Sequence, residues 1–110
     1  MAGRRRPSNP VVLGVGGALL PPGEPLDFTA EVTGSNVAFS WAPPVTGGAA
    51  AGYLLEAGSG PRLADIARSP LGGTAASAAG VPAGTYFVRV RSVNAAGAGA
   101  ASAELQVVVP

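Results

Sequence analysis

The chain has no cysteine, no histidine and no lysine among its 110 residues. Without cysteine there is neither a disulfide nor a thiolate metal site. Without histidine the commonest general base, proton shuttle and imidazole ligand is missing too, so a metal site would have to be built from oxygen alone. Charge is scarce as well: only 12% of residues are charged and the net charge is +1. Binding to nucleic acid needs a clustered basic face that releases counterions from phosphate, and no such face is encoded. Arg4, Arg5 and Arg6 do cluster, but near a terminus, where they read as a solvated tail. No apolar run approaches the roughly 20 residues that cross a bilayer as a helix, so no membrane span is expected. The carboxylates Glu24, Asp27, Glu31, Glu56, Asp65 and Glu104 are scattered over separate segments. They read as solubilising surface rather than as an acid/base pair or a calcium site. The chain is therefore expected to have no catalytic residues, no metal site and no cofactor.

What the sequence has in quantity is glycine (17), proline (11) and apolar residues (47%). Short alternating apolar runs break up the glycine and proline, which describes many turns between short strands. The clearest run is Gly84–Asn94. There Tyr86, Val88 and Val90 fall on one face and Arg89 and Arg91 on the other, the period of a strand with one side in a core and one in water. Earlier in the chain, Leu26, Phe28, Ala30 and Val32 alternate with polar residues, Thr33–Asn36 is a turn, and Val37, Phe39 and Trp41 alternate again, which predicts a hairpin. Pro43-Pro44 ends it, because proline cannot donate to a ladder. Gly52–Ala57 predicts a third strand with Tyr53, Leu55 and Ala57 inward and Leu54 and Glu56 outward. Arg62–Arg68 reads as a short edge strand or irregular crossing segment, Ser69–Ala79 as a weak strand, and Leu105–Val109 as the last strand.

Residues 1–20 form an N-terminal extension. Arg4-Arg5-Arg6 followed by Val11–Leu20 imitates a secretion signal, but proline and glycine interrupt it. Its alignment with Ser102–Val109 suggests instead the last strand of a preceding repeat. Pro21–Pro25 is then a proline-stiffened linker, and 26–110 is the domain proper.

About seven short strands around one tryptophan predict an all-β, seven-stranded antiparallel sandwich of immunoglobulin type. Several marks across residues 21–109 resemble the fibronectin type III family, and in particular its bacterial tandem repeats. They are Trp41 followed by Pro43-Pro44, Tyr53 opening the third strand, Val81-Pro82-Ala83-Gly84-Thr85-Tyr86 with Val88 and Val90 after it, and Asn94-Ala95-Ala96-Gly97. The resemblance implies the strand order A-B-E against C′-C-F-G, with Trp41, Tyr53, Tyr86, Val88 and Val90 in the structural core. Tyr86 would be a corner tyrosine whose hydroxyl bonds backbone just upstream of Val81. It also implies a non-catalytic spacer module in a secreted or cell-surface protein, with neighbouring domains as its partners. Two further readings follow from the residues. Phe87, Arg89, Arg91, Val93 and Leu54 share an outward face, which makes them a candidate binding face for polysaccharide or protein. Residues 8–15 could pair with the edge of another copy and give a homo-oligomer by strand addition.

Overall fold

The computed structural model describes residues 20–110, so the N-terminal extension that imitates a signal or a repeat strand lies outside the described residues. Eight strands follow one another without a helix: β1 (Leu26–Thr33), β2 (Asn36–Ala42), β3 (Gly52–Gly58), β4 (Ala67–Leu71), β5 (Ala75–Ala78), β6 (Gly84–Asn94), β7 (Gly97–Ala101) and β8 (Leu105–Val109). All pairings are antiparallel. One sheet has the order β1-β2-β5, and the other runs β4-β3-β6-β7 with β8 also on β6. This is the expected two-sheet sandwich, with one strand more than the seven expected.

The extra strand comes from a break in the last one. Arg91 pairs with Ala101 and Val88 with Leu105, so one residue too many lies between the two ladders, the signature of a bulge. Ser102 bridges the break: its amide donates to the Val90 carbonyl at 2.8 Å, and its hydroxyl accepts the Val90 amide at 3.0 Å. A side-chain oxygen thus stands where a backbone carbonyl would otherwise be. Ser102 is accordingly buried.

Of the two readings of Arg62–Arg68, the irregular crossing segment holds for most of it, and the edge strand β4 begins only at Ala67 and runs to Leu71. Residues 59–66 fold instead as a loop. Asp65 accepts hydrogen bonds from the Ser59 amide (2.9 Å) and hydroxyl (2.6 Å), which hold its carboxyl below the usual range. The apolar residues Leu63 and Ile66 in this loop remain about half exposed.

The core is a line of aromatic rings crossing between the sheets. Phe39 stacks on Phe28 at 5.8 Å, Phe28 meets Trp41 edge-on at 6.0 Å, and Trp41 meets Tyr53 edge-on at 5.6 Å. The first three rings come from β1 and β2, and Tyr53 comes from β3 of the facing sheet. Val37, Val88, Val90, Val107 and Val109 fill the space around them. Offset and edge-to-face pairs of this kind add about 0.5–1.5 kcal/mol each beyond their buried area. Four of the six aromatic residues thus form one contiguous structure. β1 and β8 approach each other and close one side of the sandwich.

Candidate functional site

The outward faces of β3 and β6 come together through their register, which sets Leu54 opposite Arg91, Glu56 opposite Arg89, and Gly58 opposite Phe87. On the far side of β3, Glu56 stands opposite Arg68 of β4. Three guanidinium groups therefore surround one carboxylate. The Nε atoms of Arg89 and Arg91 both donate to Glu56 Oε1, at 2.6 and 3.1 Å, and Arg68 Nη2 lies 3.2 Å from Oε2. Arg89 also reaches Glu104 (3.6 Å), whose Oε2 accepts the backbone amide of Arg62 at 2.8 Å, and Arg91 Nη1 donates to the Gly99 carbonyl at 3.0 Å. The network thus crosses the sheet from β4 to the β7–β8 break.

Glu56 is the one strand carboxylate that does not behave as solubilising surface. It faces outward as the alternation requires, yet only 3% of its surface is exposed, because the arginine side chains lie over it. Burial pushes its carboxyl up, but the hydrogen bonds and charges of Arg89 and Arg91 outweigh that, and the net displacement is downward. Both arginines of the candidate binding face are consequently engaged, with side chains 13% (Arg89) and 30% (Arg91) exposed. Phe87, Val93 and Leu54 are half-buried on the same face. The face is a ribbon of internal ion pairs flanked by partly covered apolar groups.

On the inward face, Trp41, Tyr53, Val88 and Val90 are buried, while Tyr86 is half-buried and packs against the core from its edge. The Tyr86 hydroxyl donates to the Pro82 carbonyl at 2.7 Å. The acceptor is therefore one residue after Val81 rather than upstream of it, because the short turn through Gly84 brings the Pro82 carbonyl within reach. Val81 itself is held by its amide, which donates to the Ser35 carbonyl at 2.9 Å. Among the described residues, two buried polar atoms, Trp41 Nε1 and Ser92 Oγ, have no hydrogen-bond partner. No cluster of three or more potential metal ligands occurs among the described residues, and no helix there is long and apolar enough to cross a membrane.

A second arrangement sits at the end of the sandwich where β2 leads into β3 and β6 into β7. Residues 20–23 lie in a clasp made by the 46–49 loop and the 94–99 turn. The Asn94 side-chain amide donates to the carbonyls of Leu20 (2.7 Å) and Ala49 (3.1 Å), while its oxygen accepts the Ala96 amide (2.8 Å). Gly23 donates to Thr46 at 2.8 Å and Gly48 to Pro21 at 3.1 Å. The small residues of these loops have a reason to be small. Gly47 has φ +73°, and a Cβ there would come within 2.5 Å of the Pro21 carbonyl oxygen, while a Cβ on Gly99 would stand 1.8 Å from that of Pro22. From sequence Pro21–Pro25 reads as a linker, and the glycine-rich loops give no sign of a contact with it. In the structure they are the two halves of one contact. The usable signal was the coincidence of Gly47-Gly48, Asn94 and Gly97-x-Gly99 with a Pro-Pro pair, which composition alone hides.

Similar solved structures include the FN1–FN3 domains of chicken CNTN1, with a TM-score of 0.70 at 19% identity over 82% of this chain and 32% of that one. The FN5 domain of Drosophila Lar gives 0.64 at 25% identity over 81% of this chain and 97% of that one. Titin kinase with its flanking domains gives 0.68 at 18% identity over 81% of this chain and 17% of that one. The chain thus spans about a third of the CNTN1 fragment and nearly all of the single Lar domain. No curated protein sequence matches. The family model for the fibronectin type III domain matches residues 21–108, beginning at the first proline of the clasp. The chain belongs to the fibronectin type III family.

Proposed function

We propose that this domain is a non-catalytic structural module that spaces and orients neighbouring domains in a secreted or cell-surface multidomain protein. Fibronectin type III domains are generally non-catalytic modules of multidomain proteins, and one of the similar structures, FN1–FN3 of CNTN1, holds several such domains in one chain. The observation that carries the reading is where the chain enters and leaves. Leu20 is fastened beside Asn94 at one end of β6, whereas Val109 pairs with Gly84 at the other end. A chain that enters at one end of a sandwich and leaves at the other strings its neighbours out in line. The clasp on residues 20–23 adds a fixed angle of approach, since the 46–49 loop and the 94–99 turn both hold that backbone.

A binding role for the Phe87 face has less support, because Glu56 and Glu104 already occupy the guanidinium groups a ligand would need. The spacer reading is tested by joining two copies head to tail and recording small-angle X-ray scattering. The expected particle is extended and about twice as long as one copy. A compact particle with the two sandwiches side by side would overturn the reading.

A further inference from the structure

The two sides of the sandwich differ. On one, β1 and β8 approach each other. On the other, β4 and β5, which belong to different sheets, border an apolar crevice of about 300 Å³. It reaches into the core, because Val37, Phe39, Val88 and Val107 on its walls are all buried. Towards its mouth the side chains are small: Ala67 on β4, and Ala76 and Ala78 on β5. Protein interiors hold few spaces larger than a water molecule, so small residues around a space of this size depart from the tight aromatic line beside it. Strands of both sheets form its walls, and such enclosure is what lets a small-molecule site cover most of its ligand.

We propose that this crevice binds a small, uncharged and largely apolar molecule that carries one hydroxyl or carbonyl group. Charge is the first selector. Among the described residues that line the crevice there is no arginine, aspartate or glutamate, and an ionised group taken out of water without a partner is penalised heavily. Size is the second. A space of about 300 Å³ is about twice the roughly 150 Å³ of a cavity that holds one benzene molecule, so two fused rings fit it. Polarity is the third. Ser69 of β4 and Ser77 of β5 stand on opposite lips, and a hydroxyl can donate to or accept from a single polar group of a ligand. Tyr86 also lines the crevice, but its hydroxyl is engaged by the Pro82 carbonyl. Neither Leu20 nor Val109 lines the crevice, so an occupant leaves both of these positions free. This inference goes beyond the spacer reading and does not depend on it.

Methyl and amide NMR shifts of the full 110-residue chain, titrated with 2-naphthol, test the assignment, with 2-naphthoate as a probe that carries a charge on the same rings. 2-Naphthol is expected to move the Val37, Val88 and Val107 signals in a saturable way, and 2-naphthoate to bind at least about tenfold more weakly. Ala76→Leu and Ala67→Leu each put extra carbons into the crevice, one from β5 and one from β4, and either is expected to weaken 2-naphthol binding at least about tenfold. Ala38→Leu, on the outer face of β2, is expected to leave binding unchanged. Trp41 fluorescence identifies any variant whose sandwich has not folded, and the two probes on the unaltered chain decide the matter without variants. Absence of saturable shifts at these valines overturns the proposal, whether the crevice closes or another part of the chain fills it. Equal affinity for the two probes overturns it too, as does unweakened binding by folded Ala76→Leu and Ala67→Leu.

Discussion

Arg89 Nε donates to Glu56 Oε1 across 2.6 Å on the outer face of the five-stranded sheet, and this pair is the centre of a network that also includes Arg68, Arg91 and Glu104. Removing a buried partner leaves the other charges without compensation, and that loss exceeds the net value of the pair itself. Glu56→Gln is therefore expected to destabilise the domain by about 2 kcal/mol, less than for a fully buried pair because Arg68 and Arg91 remain in contact with water. A urea melt checks this, and a loss below about 0.5 kcal/mol, the usual range of neutral surface changes, would show that the network contributes little.

The same carboxylate sets a pH dependence. Its folded pKa lies below the ordinary value, so its contribution is complete above about pH 4.3, the unfolded glutamate value. It is lost as pH falls through the lower, folded value. The stability difference between the unaltered chain and Glu56→Gln should accordingly be constant from neutral pH to mildly acid conditions and shrink below them. Melts at a series of pH values follow it directly; a difference that grows on acidification would reverse the sign assigned here.

Trp41 and Tyr86 carry unequal weights. Trp41 lies in the middle of the aromatic line, and Trp41→Ala is expected to cost about 3–5 kcal/mol. Tyr86→Phe removes only the hydroxyl bond to the Pro82 carbonyl, at about 1 kcal/mol. Chemical denaturation of the two variants separates them, and equal losses would contradict the placement of either residue.

Two buried serines give a sharper contrast. Ser102 Oγ accepts the Val90 amide at the break between β7 and β8, so Ser102→Ala leaves a buried N–H without an acceptor and should cost about 1–3 kcal/mol. Ser92 Oγ has no partner among the described residues, and Ser92→Ala is expected to be neutral or stabilising. Thermal melts of both variants decide it, and a larger loss at Ser92 than at Ser102 is the contrary result.

At the clasp, Gly99→Ala would drive a Cβ into the Pro22 carbonyl. Residues 20–23 are then expected to leave their seat while the aromatic core stays intact. The Gly48 amide, which donates to the Pro21 carbonyl, reports this by faster hydrogen exchange with little change in the melting of the core. Unchanged exchange at Gly48 would show that the clasp absorbs the methyl group.

Most of the architecture was legible in the sequence, because alternation carries it. Phe28, Val37, Phe39, Trp41, Tyr53, Val88 and Val90 all fall where a period of two puts them, and a sandwich follows once enough such runs are counted. Register was not legible. Glu56, Arg89 and Arg91 were each placed on outward faces, but nothing within one strand says that Glu56 lies opposite Arg89, so an ion-pair network read as scattered surface charge. Two other features depend on single atoms in a tertiary setting. Ser102 splits the last strand through its hydroxyl, and the Tyr86 acceptor is set by how tightly the chain turns at Gly84. The clasp was hidden for a different reason: glycine reads as flexibility in sequence, whereas Gly47 and Gly99 are small because another backbone passes over them.

The positions of Leu20 and Val109 at opposite ends of β6 also decide how the domain answers a pull. Tension along the chain loads the β6–β8 ladder parallel to its strands, so its hydrogen bonds, which run across the strands, bear the force together. At the other end the load meets the contacts of Asn94, Gly48 and Thr46 in turn, at Leu20, Pro21 and Gly23. The clasp, held by fewer hydrogen bonds than the ladder, is expected to yield before the sandwich and release a few residues of slack. In mechanical terms the domain is a stiff bar with a short compliant lead at one end.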